Sequence, residues 1–301
     1  MSAAGPAGRY RPRPAPRLAA DAHKGDAGRL LCLCGSESYP GAAILVARAA
    51  QRAGAGLVTL AAFEPELRRV AAAAAPEAIH LDLSAAREGG PAELAAALAG
   101  RDDHARVAGP GLGRGARTLA LVRALVAGQF AGATVLDADA LNVLGAEPEA
   151  LSGAAGPLVL TPHPGEAARL LGRERLPADD AGRIECALEL ARRARAVCCL
   201  KGHRTVVAGG GRAFVNETGN PGMASAGAGD VLAGILGAYL ARRAAAGAEA
   251  AEWSVFDAAA AAVHVHGLAG DLAAAELGEA ATIASDLIER LPAAQRAFEG
   301  E

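Results

Sequence analysis

Apolar residues along the chain fall into short runs, and the runs alternate with longer stretches of helical period. "RLLCLCG" is a brief apolar run closed by glycine, which suits a buried strand. "PGAAILVARAAQRAGAG" follows as a helix with glycine stops, "LVTLAA" as a second strand, and "PELRRVAAAA" as a second helix with proline in its first turn. "EAIHLDL", "ARVAGPG", "ATVLDADALN", "GPLVLTPHPGE" and "AVCCLKG" continue the series of strands. Helical segments are expected between most of them, at 115–128 and 180–195 among others. "TVVAGGGRAFVN" reads as a hairpin around a glycine triplet. Beyond it the period turns helical, over about 228–245, 253–276 and 282–291.

Strand–helix alternation with continuously apolar strands predicts an α/β fold. Its central sheet is mostly parallel, with helices on both faces. No internal repeat and no linker interrupts the pattern. The expected organisation is a flexible N-terminal arm at 1–25 and a single domain over 26–301.

Composition narrows the function more than the fold. The chain has 301 residues, 52% hydrophobic and 21% charged, enough for one large buried core. The net charge of −3 and an aromatic content of 3% offer neither a basic face nor a stacking platform, so no nucleic-acid partner is expected. No apolar stretch is long enough to span a bilayer, and the Arg/Pro-rich N-terminus has no apolar core of a secretory signal. Five cysteines, an odd number, sit in apolar runs without C-x-x-C spacing. They read as reduced core residues, and the expected compartment is the cytoplasm.

Ligands on such sheets bind beyond the carboxyl ends of the strands. The turns found there carry the candidate chemistry. In "NPGMASAGAGD", Gly227 and Gly229 let backbone N–H groups approach an anion, and the helix after them directs its positive end to the same place. Asp230 is then either a base beside a phosphoryl group, held ionised by the helix, or a plain first-turn residue. "LKGHRT" places Lys201 and Thr205 across a tight turn, able to grip phosphate or ribose, or forming an ordinary hairpin turn with solvated charges. "TPHPGE" holds His163 between two prolines, as a fixed ligand contact or a rigid connection with an exposed ring. Asp137, Asp139 and Asn142 in "VLDADALN" could hold Mg²⁺ through water, bond a sugar hydroxyl, or cap a helix. "GPGLGRGA" is a weak dinucleotide fingerprint, placed too late in the chain for the usual use. His264 and His266 lie two apart in a helix and share no face, so they read as one packed and one partner-facing histidine. His23 and Lys24 precede the first strand as candidates to close over the site.

In order and in register, the segments "HKGDAGR", "GSESYPGAA", "RAGAGLVT", "GPGLG", "DADALN", "TPHPGE", "LKGHRT", "GNPGMASAGAGDVLAGIL" and "HGLAGDLAA…ASDLIERLP" resemble one family. It is the ADP-dependent NAD(P)H-hydrate dehydratases, a branch of the ribokinase-like superfamily. The resemblance runs from about residue 23 to 292. It implies a ribokinase-like fold and repair of hydrated NADH and NADPH: phosphorylation of the hydrate's hydroxyl from ADP, then loss of phosphate, giving NAD(P)H, AMP and phosphate. It implies Mg²⁺ as cofactor and ADP as co-substrate.

Carried onto matching positions, Ala43, Gly111, His163 and Asp230 would contact the hydrate. Lys201, Gly202, His203, Arg204, Thr205 and Gly229 would contact the nucleotide. Gly227, Ala228 and Gly229 would form the anion hole, with Asp230 as catalytic base. The chain departs from the family at Ala228, where threonine is common, and at Cys34, where glycine is common. Many members carry an epimerase domain ahead of this segment; here a separate epimerase is expected to act on the same substrate pool. A homotetramer is expected, with the Ala-rich helices at 41–53 and 253–276 as packing faces. Rival readings are a kinase of a small alcohol such as a thiazole or pyrimidine precursor, to whose G-A-G-D pattern Ala228 conforms, a non-catalytic nucleotide sensor, and a dehydrogenase built on "GPGLGRGA".

Overall fold

A computed structural model describes residues 10–86 and 91–300. Nine strands form one sheet: β1 (Arg29–Leu33), β2 (Leu57–Ala62), β3 (Ile79–Asp82), β4 (Ala105–Ala108), β5 (Ala133–Leu136), β6 (Leu158–Leu160), β7 (Val197–Leu200), β8 (Val206–Gly209) and β9 (Arg212–Val215). Their order is β3-β2-β1-β4-β5-β6-β7-β8-β9. The pairings from β3 to β7 are all parallel, and β8 and β9 add an antiparallel hairpin at one edge. The expected mostly parallel sheet and hairpin are both present.

Strand periodicity divides the core in two. Along β1, Leu30 and Cys32 enter one cluster while Leu31 and Leu33 enter the other. The first face is covered by α1 (Pro40–Arg52), α2 (Pro65–Ala74), α8 (Ala228–Ala246), α9 (Val255–Leu277) and α10 (Ala284–Gly300). The second is covered by α3 (Pro91–Leu98), α4 (Ala116–Ala127), α5 (Asp139–Asn142), α6 (Pro164–Leu170) and α7 (Asp180–Ala194). Both faces are apolar because both are covered, which is why the strands read as unbroken apolar runs.

Helix α8 lies deepest. A methyl group on Gly237 would come within 2.6 Å of Val107 and 2.8 Å of Leu30, so its absence lets the helix backbone rest on β1 and β4. Fixing α8 on the sheet fixes where its first turn opens.

Three expectations change. The last helix was expected to stop near 291, but α10 runs on through Pro292 to Gly300. Leu291, Ala294 and Phe298 are buried on one side of it, and that packing offsets the hydrogen bond the proline cannot make. Of the arm expected to be flexible, residues 1–9 lie outside the described residues, and residues 10–16 are anchored on the body of the fold. Tyr10 packs edge-on against Phe214 and Phe256 and donates to Asp257 at 2.7 Å. Trp253 donates to the Arg13 carbonyl and Arg242 to that of Pro16. Most alanines of α1 and α9 are buried inside this chain, packed in the first-face core.

Candidate active site

Parallel pairing brings the ends of β1, β4, β5, β6 and β7 to one edge, and α8 begins there. Its N-cap is Gly227, at φ +89°, a left-handed conformation that costs glycine nothing and supplies no capping side chain. Val231 is the first residue to close a helical bond, onto the Gly227 carbonyl at 3.1 Å. The N–H groups of Gly229 and Asp230 therefore have no acceptor within the helix. The Ala228 N–H turns instead to the Ser225 carbonyl at 3.3 Å. Within the stretch expected as an anion hole, Gly227–Gly229, the Ala228 N–H is thus engaged, while the Gly229 N–H, like that of Asp230 beside it, has no acceptor in the helix.

Asp230 is harder to ionise than a helix start would suggest. Burial and the negative field of Asp137 push its pKa up to about 7, with Asp139 adding to the rise and Lys201 opposing it. A carboxyl that changes state near neutrality can accept a proton during a reaction.

Lys201 leaves the end of β7 and points inward. Its Nζ lies 2.7 Å from Asp137, whose side chain is 1% exposed. Burial disfavours the ammonium, but Asp137, Glu166 and Asp230 outweigh it and hold the lysine's pKa above the ordinary value. The same Nζ is 3.4 Å from where a Gly229 side chain would begin, so the cation adjoins the open N–H groups. Ala138, directly after Asp137, sits at φ +47°, a strained conformation for alanine that turns the chain from β5 into α5 between Asp137 and Asp139.

The turn at 201–205 joins β7 to β8 as a hairpin turn, but its lysine is half-buried and paired rather than solvated. Arg183 of α7, itself buried, sends its guanidinium to the carbonyls of His203, Arg204, Leu200 and Lys201. Arg204 is half-buried and pairs with Asp180 at 2.8 Å. The turn forms one wall of a cavity of about 430 Å³, with Thr218, Asn220, Met223, Gly229 and His266 among the other lining residues. All six candidate nucleotide residues line it.

Two of the hydrate-side candidates, Ala43 and Gly111, lie where two turns come together. Gly111 packs against Ala42 and Tyr39, and Gly35 against Ala43, so the "SESYPG" and "GPGLG" turns meet. Tyr39 is 58% exposed at that junction. His163 caps its own helix: Nδ1 accepts from the N–H groups of Gly165 and Glu166, and Glu166 accepts from the His163 N–H at 2.9 Å. The ring is half exposed, with only Nε2 left over, 3.4 Å from Glu166. Burial raises the pKa of Glu166, with Lys201 opposing. His23 and Lys24 fall elsewhere. The Lys24 carbonyl lies against Gly56, just before β2, at the opposite edge of the sheet, so they cannot close over the site.

Sequence reasoning missed Arg183 and the Asp137–Lys201 pair, and it read His264 and His266 as one packed and one partner-facing histidine, with no part in the site. Asp137 was legible as an acid after a strand, but its partner lies 64 positions away. Arg183 looks like any helix-surface arginine until the turn folds back on it. Among the described residues no helix is long and apolar enough to cross a membrane.

Fold and site together define a ribokinase-like α/β protein. Solved structures similar to it include a ribokinase-like superfamily protein from Enterococcus faecalis V583, at 26% identity and TM-score 0.77, covering 95% of this chain and 93% of that one. The ADP/ATP-dependent NAD(P)H-hydrate dehydratase of Bacillus subtilis, co-crystallized with ATP/Mg²⁺, is similar at 29% identity and TM-score 0.77, covering 94% of each chain. The sequence pattern of the NAD(P)H-hydrate dehydratase family matches residues 30–293, and the chain belongs to that family. A bifunctional NAD(P)H-hydrate repair enzyme from Moorella thermoacetica is 42% identical over 292 residues, 95% of this chain and 52% of that protein. The ADP-dependent (S)-NAD(P)H-hydrate dehydratase of Neisseria meningitidis serogroup B is 38% identical over 283 residues, 92% of this chain and 87% of that protein. The chain spans about half the length of the bifunctional relatives it matches.

Proposed function

We propose that this protein is an ADP-dependent dehydratase of the S form of hydrated NADH and NADPH, regenerating NAD(P)H with release of AMP and phosphate. One observation carries the reading. A half-buried carboxyl with its pKa pushed up to about 7, Asp230, stands at the uncapped start of α8, beside a cavity lined by the nucleotide candidates. A hydroxyl is a poor leaving group and phosphate a good one, so the reaction needs a phosphoryl donor, a base and a cradle for charge.

In this reading Asp230 takes the proton from the hydrate's hydroxyl as its oxygen bonds to the phosphoryl group and AMP departs. The Gly229 and Asp230 N–H groups receive the phosphoryl oxygens, with Gly227 and Ala228 shaping the turn. Lys201, held by Asp137, offsets the developing charge. Residues 201–205 hold the nucleotide. Ala43, Gly111 and His163 border the hydrate.

The donor set suits a Mg²⁺ carried by nucleotide phosphates rather than a cage in the protein. Among the described residues no group of three or more metal-ligating side chains exists, and Asp137 already holds Lys201 through Oδ1, which leaves it no direct place in a cage. Asp137 and Asp139 are the residues that would meet the ion through water, and the ion would supply charge neutralisation on the phosphates.

We further read residues 26–301 as one domain, supported by the continuous nine-stranded sheet. A cytoplasmic setting, a separate epimerase acting on the same pool and a homotetramer complete the proposal. The tetramer stands on the family resemblance, since the alanine faces that suggested it are buried within the chain.

The test is S-hydrated NADH with ADP and Mg²⁺, followed at the NADH absorbance band. Return of the band with AMP and phosphate supports the reading. Nucleotide consumption with a phosphorylated alcohol and no absorbance points to the kinase. ADP binding without turnover points to the sensor.

A further inference from the structure

Helix α9 is built almost wholly of alanine, valine, leucine and glycine over its buried length, and His266 interrupts it. The imidazole lines the wall of the 430 Å³ cavity, and its Nε2 lies 2.9 Å from the carbonyl oxygen of Ala228. A carbonyl can only accept, so Nε2 carries the hydrogen and donates it. The ring stays neutral across the physiological range, because burial drives its pKa down to about 4, against the opposite pull of the bond to Ala228.

Ala228 is the first residue of α8, and its carbonyl belongs to the same peptide unit as the Gly229 N–H. That unit is planar and trans, so carbonyl and N–H point in opposite directions. Fixing the oxygen fixes the direction of the hydrogen. Donation to the oxygen also polarises the peptide and makes its N–H a stronger donor.

We propose that His266 is a positioning residue for the phosphoryl cradle: through the Ala228 carbonyl it holds and polarises the Ala228–Gly229 peptide, so that the Gly229 N–H faces the transferring group. The inference rests on the function proposed above. It assigns to α9 a part in catalysis that no ligand-contact reading of the cavity would give it. His266 touches neither reacting atom in this scheme; it acts through a peptide.

The experiment compares wild type with His266→Leu, which removes the donor, and His266→Gln, which keeps one. Three quantities are measured on the full chain: kcat with S-hydrated NADH and ADP–Mg²⁺, the melting shift produced by ADP, and the melting shift produced by inorganic phosphate in the presence of AMP. Direct loss of an oxyanion donor costs roughly 100- to 1000-fold, and loss of its orientation alone should lower kcat about 10-fold in His266→Leu. The ADP shift should be retained, the phosphate shift reduced, and His266→Gln should recover a large part of kcat. Unchanged kcat with a lost ADP shift would make His266 a cavity wall and overturn the proposal. Equal losses in the two variants would overturn it as well, since the donated hydrogen would then be irrelevant. If His266→Leu does not fold, His266→Phe, closer in shape and without a donor, takes its place. If wild type itself returns no NADH, the proposed function fails, and the phosphate shift decides for the histidine separately: a reduced shift in the donor-less variant supports it, an unchanged one refutes it.

Discussion

Replacing Asp230 by asparagine should make the protein inactive and more stable at the same time. The carboxyl's pKa is about 7 in the folded chain, against an ordinary value of 3.8, because it is buried and faces Asp137. A carboxyl whose folded pKa is the higher one binds protons more tightly when folded. Its burial is therefore without penalty below about pH 3.8, costs stability progressively as pH rises toward 7, and costs the full amount above it. The gap is just over three pH units, and at about 1.4 kcal/mol each the full cost is at most about 4 kcal/mol. Attraction to Lys201 is lost with the charge and asparagine still needs partners, so a net gain of about 1–3 kcal/mol at pH 8 is expected in Asp230→Asn. At roughly 2–4 °C per kcal/mol, the variant should melt several degrees above wild type at pH 8. The difference should shrink markedly by pH 4.5. Turnover should fall by at least about 100-fold, the lower end for loss of a general base. In wild type, kcat/KM should rise with pH around a midpoint near 7, and that limb should vanish in the variant. Thermal melts across pH 4.5–8, with the hydrate assay at each pH, measure all of this. A variant that melts at or below wild type at pH 8, or whose advantage is constant with pH, would refute the electrostatic account. A variant retaining more than a few tenths of the turnover would refute the base.

Lys201→Ala should strand the Asp137 carboxylate and destabilise the fold by about 3 kcal/mol even without ligand; the double variant with Asp137→Asn should recover much of that loss in thermal melts. Arg183→Met should loosen the 201–205 turn and weaken ADP binding about 10-fold by titration calorimetry, since four carbonyls lose their shared donor; unchanged affinity would show that the turn holds itself. Tyr10→Ala should free the arm, so that trypsin cuts after Arg17 faster than in wild type, Arg11 and Arg13 being shielded by the prolines that follow them; an unchanged cleavage rate would mean that the Trp253 and Arg242 bonds suffice.

The period of the apolar runs determined the elements, the parallel sheet and the edge on which the site lies, because strand and helix patterning are local and a parallel sheet puts every strand end on one side. Motifs in chain order were enough to show the family, since each turn's residue types are set by the turn's own work. What tertiary structure alone decided was how those turns act on one another. Asp137 and Lys201 are 64 positions apart and become an ion pair. Asp230 sits where a helix would ionise it, yet burial among other acids turns its pKa upward. His266 reads as one more core residue of α9 until α8 is laid across it and the Ala228 carbonyl meets its ring. Pro292 reads as a stop until the face it would unwind is found buried. In each case the deciding energy comes from desolvation or from a contact between segments distant in sequence, and neither has a local pattern from which to be read.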